Sequence, residues 1–274
     1  MTHLTRRAGL AAALLLPALA RAQGPEIGTA ARPLRIGVTA GPHAQVMEKV
    51  REIAARPDGP SRGLVLRIVE FTDYVTPDVA LAAGDLDANS YQHQPFLDQQ
   101  VRDRKLALVS VGRTLVFPMG IYSKKHKSLA TIPTGGRVAV PNDPTNGGRA
   151  LVLLAQHDAF KLRSGADFTA TVADITENPR RIRVVELEAA QLPRALDEVD
   201  AAAINTNYAI PAGLNPLRDA LGRESADSPY ANVVAVRLQD RDAPWVRRLL
   251  AAYQNDEVKG FVNATFQGAV APAF

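Results

Sequence analysis

PNDPTNGGR, positions 141–149, separates a short apolar strand at 137–140 from an apolar helix that opens with ALVLL at 150–154. A strand, a turn rich in Pro, Asn and Gly, and then a helix make a seat for an anion. The N–H groups of a first helical turn lack intrahelical acceptors, and the positive end of the helix dipole favours negative charge. Arg149 falls within that turn and can add a bidentate grip on a carboxylate. An ordinary capped helix with a solvated arginine explains the same residues. The segment alone leaves both readings open.

Upstream, LRIGV at 34–38 reads as a buried strand, and Gly41-Pro42 breaks it. Ala44, Met47, Val50 and Ala54 then recur at the spacing of one helical face over 43–55. A second strand is predicted at 64–71, a helix at 77–83 with Pro77 at its first position, a third strand at 87–91, a helix at 95–102 and a strand at 106–116. This alternation predicts a parallel sheet with helices on its faces. The pattern restarts after Pro118, with strands at 120–123, 138–140, 182–187 and 201–204 and helices beginning near Thr145, Asp174 and Pro193. Two successive α/β units predict two lobes with a cleft between them. The last stretch (strand 230–238, helices 243–251 and 256–264) is too short for a third domain and is expected to pack onto the first lobe.

The N-terminus narrows the setting. Arg6 and Arg7 precede the apolar run 8–20, and Ala20-Arg21-Ala22 has the form of a signal-peptidase site. Residues 1–22 are therefore expected to be a cleavable export signal, compatible with both the twin-arginine and the general secretory route. Without them Arg6, Arg7 and Arg21 are lost and no acid, so the net charge falls from +4 to +1. A near-neutral surface offers no electrostatic footprint for nucleic acid. Cysteine is absent, which excludes disulfides, thiolate metal sites, a thiol nucleophile and a lipid anchor on cysteine. Residues 23–33 read as a loose linker.

Ligands of open α/β sheets gather beyond the carboxyl ends of strands. The groups expected there are Thr39 to His43, Asp73-Tyr74, Asn89 to His93, Asn142 to Arg149 and Asn205 to Tyr208. Asn205 and Asn232 can bond an ammonium or a carboxylate, or merely form Asx turns. Tyr74 and Tyr91 can wall an apolar pocket suited to a thioether, or simply pack. His93 can be a hydrogen-bonding wall or a general base, but no nucleophile or acid partner stands at defined spacing. No hydrolase, zinc-protease or phosphate-loop motif is present. The remaining histidines beyond the expected export signal, 43, 126 and 157, show no ligand spacing, and Asp87 and Asp143 sit where turn aspartates are expected. Neither a catalytic residue nor a metal or cofactor is assigned.

Several segments together resemble the methionine-binding substrate-binding proteins of ABC importers, the NlpA-type lipoprotein family. They are GVTAGPHAQVME (37–48), FTDYVTPDVALAAGDLDANSYQHQPFL (71–97), FPMGIYSKKHKSL (117–129), VAVPNDPTNGGRALVLL (138–154), VELEAAQLPRALDEVDAAAINTNYAIPAGLNP (185–216) and SPYANVVAVR (228–237). The resemblance implies a periplasmic binding protein type II-like α/β fold, with lobe 1 at 34–116 plus 229–274 and lobe 2 at 117–228. The implied crossings are near Phe117-Pro118 and Ala226 to Tyr230. It implies a monomer that captures methionine (L- and D-) or a close analogue in the periplasm and delivers it to a membrane permease. The alternatives are a binder of another apolar amino acid or small peptide, an extracytoplasmic enzyme using His93, and a sensory module. Carried onto matching positions, Arg149 holds the ligand carboxylate, Asn205 and Asn232 bond its polar head, and Tyr74, Tyr91 and His93 line the side-chain pocket. An arginine serving only the ligand should be replaceable by alanine with the fold nearly intact. Two departures bear on side-chain preference: Ser90-Tyr91 stands where relatives carry two aromatics, and Asp78 where many carry Asn.

Overall fold

The computed structural model describes residues 26–225 and 227–274. The expected export signal, residues 23–25 and Ala226 lie outside them. The first unit runs β1 (Leu34–Thr39), α1 (Pro42–Ala54), β2 (Leu66–Phe71), α2 (Thr76–Ala83), β3 (Ala88–Asn89), α3 (Gln94–Arg104) and β4 (Leu108–Val116). The second runs β5 (Gly120–Tyr122), β6 (Arg137–Pro141), α4 (Pro144–Gln156), the small pair β7 (Lys161–Leu162) and β8 (Ile175–Glu177), and β9 (Arg183–Leu187). It continues with α5 (Leu192–Ala195), β10 (Ala201–Ile204), α6 (Thr206–Ala209) and β11 (Gly222–Arg223). The chain closes with β12 (Ala231–Arg237), α7 (Pro244–Tyr253), α8 (Asp256–Phe266) and β13 (Ala271–Pro272).

Beside the two-stranded β7-β8 pair, the described residues form two large sheets, in the orders β13-β4-β12-β3-β1-β2 and β11-β5-β10-β6-β9. β1 is parallel to β2 and β3, as the alternation predicts. The sheet is not purely parallel, however, because β12 runs antiparallel between β3 and β4. Its middle, Val233 to Val236, is buried throughout, so this near-continuous apolar run needs a central position covered on both faces. The second sheet is mixed too: β6 pairs in parallel with β9 and β10, while β5 runs antiparallel to β10 and β11. α1, α7 and α8 cover one face of the first sheet in a shared core that includes Val46, Met47, Trp245, Leu249 and Val262. No helix among the described residues is long and apolar enough to cross a membrane.

Three local expectations change. No helix begins near Asp174. Instead a 3-10 turn at Val172–Asp174, closed by a reciprocal Thr171–Asp174 capping box, leads into β8, whose Ile175-Thr176 pair is β-branched. The stretch 26–33 is not loose: Thr29 and Arg32 form a bridge, and the Gly28 carbonyl accepts from the Val65 N–H at 2.9 Å. The third strand shrinks to Ala88–Asn89.

The paired glycines of the opening segment lie inside α4, not in a turn ahead of it. A Cβ on Gly147 would stand 2.8 Å from the Pro141 carbonyl oxygen. One on Gly148 would stand 2.2 Å from the Phe168 carbonyl oxygen and 2.9 Å from the Ala170 nitrogen. Glycine in a helix interior costs about 0.5–1 kcal/mol, and here the absent side chain lets α4 lie directly against backbone. Gly148→Ala should therefore destabilise the protein by about 1–3 kcal/mol despite alanine's higher helix propensity. Urea unfolding measures this, and unchanged or raised stability would contradict the packing role.

Candidate functional site

The loops after β2, β3, β6 and β10 and the start of β12 converge between the two sheets. The six residues singled out in the sequence (Tyr74, Tyr91, His93, Arg149, Asn205 and Asn232) all line one cavity there, with an empty volume of about 320 Å³. Among the described residues, three hydrogen bonds join its opposite walls: Tyr74 Oη to Asn207 Oδ1 (2.7 Å), Tyr208 Oη to the Thr72 carbonyl (3.0 Å) and His93 Nε2 to Asn146 Oδ1 (3.2 Å).

The anion seat expected at the helix N-terminus is already filled. Asp143 is the N-cap of α4, and its carboxylate accepts from the Asn146 N–H at 2.9 Å, while the Gly147 N–H goes to the Asp143 carbonyl. The chain's own anion thus meets the helix dipole, and a ligand carboxylate has to be held elsewhere. Nor does Asp143 pair with Asp87. Asp87 is fully buried beneath Arg35, from which it accepts at the backbone N (2.9 Å), Nε (3.1 Å) and Nη2 (3.0 Å).

Asp143 also starts a chain of hydrogen bonds with a fixed polarity. Its Oδ1 is committed to a backbone donor, so Asn146 turns its Nδ2 toward the same carboxylate, at 3.0 Å. From the other wall, His93 caps α3: its Nδ1 accepts from the Phe96 N–H at 3.1 Å. The ring proton is therefore assigned to Nε2, which donates to Asn146 Oδ1. Asn146 Oδ1 accepts from Asn205 Nδ2 as well, at 2.8 Å. Asn205 is left presenting a buried Oδ1 without a partner among the described residues, an acceptor awaiting a donor.

Arg149 is 3% exposed and carries a partner that the sequence did not suggest. Its Nε donates to Glu224 Oε1 at 2.7 Å and its Nη2 to Glu224 Oε2 at 2.6 Å. Nη2 also donates to the Phe117 carbonyl at 2.8 Å, and the guanidinium stacks 4.2 Å from the Tyr230 ring centroid. Only Nη1 makes no hydrogen bond to the described residues. The expectation that Arg149→Ala would leave the fold nearly intact is corrected here, because it strands a mostly buried Glu224 carboxylate (11% exposed), an event whose cost approaches the ~3–5 kcal/mol of a fully buried ion. Asn232 donates to the Tyr91 carbonyl at 3.1 Å and is held within its sheet.

The rest of the cavity is aromatic. Tyr74 lies with its ring centroid 6.0 Å from Tyr91, 5.9 Å from Phe96 and 5.1 Å from Tyr208. Tyr91 donates to the Tyr74 carbonyl at 2.7 Å, which frees both rings to act as apolar walls. Ser90 is not part of the lining; it is buried near the Tyr253 hydroxyl on the core side. Asp78 does not touch the cavity directly but holds it. It accepts from Gln92 Nε2 (2.7 Å) and Asn89 Nδ2 (2.8 Å), and its fully buried carboxyl, with Oδ2 unpartnered among the described residues, is pushed above the ordinary aspartate range by burial. Asn146, Asn207, Gln92, Phe96 and Phe117 join the lining, and Glu224 backs it. Asn146 and Asn207 stand inside the quoted motifs. Glu224, 75 residues from Arg149 in an unremarkable loop, left no sequence signal.

His93 is pushed down to about 3, mainly by burial and further by the Arg149 charge; burial alone brings His43 to about 3. With Nδ1 committed to a backbone N–H and Nε2 protonated, His93 has no lone pair to offer a substrate. Among the described residues no cluster of His, Cys, Asp and Glu could hold a metal.

Residues 34–274 match the model of the NlpA lipoprotein family. The D-methionine-binding lipoprotein MetQ of Escherichia coli (strain K12) is 46% identical over 237 residues, 86% of this chain and 86% of that protein. A nutrient-binding protein from Burkholderia cenocepacia, solved bound to methionine, is 49% identical with a TM-score of 0.84, covering 88% of this chain and 100% of that one. An ABC transporter periplasmic substrate-binding protein from Coxiella burnetii is 46% identical with a TM-score of 0.83, covering 88% and 100%.

Two outcomes follow from the buried ionisable groups. Both histidines are neutral when folded and protonate when unfolded, so below about pH 6.5 the unfolded state binds protons that the folded state does not. Stability falls with acidification by up to about 1.4 kcal/mol per pH unit for each histidine, down to about pH 3. A His43→Gln/His93→Gln variant should show a flatter profile between about pH 6.5 and pH 4.5 in denaturant titrations; an unchanged slope would refute the assignment. Asp78 has the opposite sign, since its raised value favours the folded state at low pH and costs stability as pH rises. Asp78→Asn should therefore stabilise by about 1–3 kcal/mol at pH 8 and by less at pH 4. A pH-independent effect would show that Asp78 does not titrate in this way.

Proposed function

The chain belongs to the NlpA lipoprotein family, and we propose that it captures free methionine outside the cytoplasm and delivers it to the permease of an ABC importer. The observation that carries this is the polarity of the cavity's uncommitted atoms. Arg149 Nη1 is a donor for a carboxylate, Asn205 Oδ1 is an acceptor for an ammonium, and the aromatic walls suit an apolar thioether chain. Donor and acceptor in one small pocket match the two ends of an amino acid. Relatives at 46% and 49% identity, a D-methionine-binding lipoprotein and a protein solved bound to methionine, support the same ligand.

The commitment of both His93 nitrogens argues against an enzyme built on that imidazole. In the proposed cycle, residues 34–116 plus 229–274 move as one lobe and 117–228 as the other. Ligand bound between them favours the closed arrangement by its differential affinity, and a monomer in that form is what the permease reads. Export through residues 1–22 fits this setting. The 274 residues contain no cysteine, so none can carry the acyl thioether of a lipoprotein.

At ligand concentrations ~100 times the dissociation constant, methionine should add ~2.7 kcal/mol of stability. A thermal-shift panel of amino acids reads this directly, and no shift with either enantiomer of methionine would overturn the assignment. Asn205→Ala should weaken binding by about tenfold or more through loss of the ammonium acceptor. Isothermal calorimetry beside circular dichroism tests it; full affinity in a folded variant would remove Asn205 from the site.

A further inference from the structure

The guanidinium of Arg149 is fixed on three sides before any ligand is considered. Glu224 takes Nε and one N–H of Nη2, the Phe117 carbonyl takes the other, and the Tyr230 ring lies against the plane. Glu224 is itself fixed. Its Oε2 accepts from the Met119 N–H at 2.8 Å, and its own N–H donates to the Met119 carbonyl at 3.0 Å. The two side chains are 3% and 11% exposed, so water does little to screen them.

The pairing changes what the arginine can recognise. A lone buried guanidinium would draw any anion into the cavity. Joined to Glu224, it forms a net-neutral unit whose field falls off faster than that of a single charge. A ligand bearing only a carboxylate would bring an uncompensated negative charge into a pocket that holds no net positive one. A zwitterion brings its own compensation: its carboxylate meets Nη1, while its ammonium meets Asn205 Oδ1 within the field of Glu224.

We propose that Glu224 is a positioning and specificity-determining residue. It fixes Arg149 so that Nη1 alone faces the ligand, and it cancels the arginine's charge so that the pocket selects zwitterions over simple carboxylates. This rests on the amino-acid reading of the cavity and deepens it. The ligand class is the α-amino acid with both charges intact.

The test compares methionine with its desamino analogue, which keeps the thioether and the carboxylate but lacks the ammonium. Calorimetry is run on the wild-type chain, Glu224→Gln and Glu224→Asp, with circular dichroism and thermal unfolding alongside. Glu224→Gln keeps the shape and one acceptor but drops the charge. It should narrow the preference for methionine over the analogue by about tenfold or more, the scale of one charge interaction across a partly screened pocket. Glu224→Asp should weaken both ligands yet retain the preference, because the charge remains. A purely structural residue would weaken both ligands equally in each variant; an unchanged preference in Glu224→Gln overturns the proposal. Should Glu224→Gln not fold, a wild-type preference below about tenfold, or loss of the preference in Glu224→Asp, overturns it instead. If the wild type binds neither ligand, the amino-acid reading itself fails and takes this proposal with it. Methionine binding with an unaltered preference sinks the role of Glu224 alone.

Discussion

One side-chain amide, that of Asn146, sets the polarity of the whole cavity. Two backbone N–H groups at the starts of two helices fix it from opposite walls, Asn146's own through Asp143 and that of Phe96 through His93. Backbone donors cannot reverse, so neither Asp143 Oδ1 nor His93 Nδ1 can change role, and the Asn146 amide has one favourable orientation. Asn205 inherits its direction from Asn146. The unpartnered acceptor in the cavity is thus the last link of a chain that begins in helix capping.

The second constraint is the cost of burying a guanidinium. Burial is tolerable only when the ion is paired and its N–H groups are bonded. Arg149 meets that requirement with one carboxylate, one carbonyl and one aromatic face, and a single nitrogen remains. The helix N-terminus cannot take over its work, since Asp143 already occupies the dipole's positive end. Anchoring and orientation are thereby divided: the arginine serves the cavity, and the helix start serves the amide network.

The alternation of strand and helix was legible from period and turn residues, and so were the polar loops beyond the strand ends. PNDPTNGGR reads as an anion seat at a helix start, and one part of that reading changes: the N-terminus of α4 is capped by the chain's own Asp143. Its glycines belong to close packing of α4 against 168–170, and its aspartate is the anion at the helix start. Local sequence carries no trace of the contact from Phe168 that requires Gly148, nor of the Glu224 that pairs with Arg149 across 75 residues. The antiparallel insertion of β12 was hidden for the same reason: an apolar run shows that a strand is buried but not which neighbours it lies between. Asp78 stands out in the sequence as a departure, though its effect, exerted through Gln92, depends on burial that spacing cannot reveal.

The bonds that join the two walls are between neutral groups, each contributing about 0.5–1.5 kcal/mol. In the proposed cycle, bonds of this size are weak enough for the open–closed balance to be set by a ligand of ordinary affinity. Moving a two-state balance from 1:99 to 99:1 takes about 5.5 kcal/mol of differential binding, and charge-assisted bonds contribute about 1.5–3 kcal/mol each. The proposed carboxylate on Nη1 and ammonium on Asn205 Oδ1 would together be of the size required. His93 and Asn205 donate to the same oxygen, Asn146 Oδ1, from opposite walls. In the proposed cycle, the atom that closure completes is thus the atom that orients the acceptor offered to the ligand, and a ligand held at Asn205 would be coupled to closure through one shared amide.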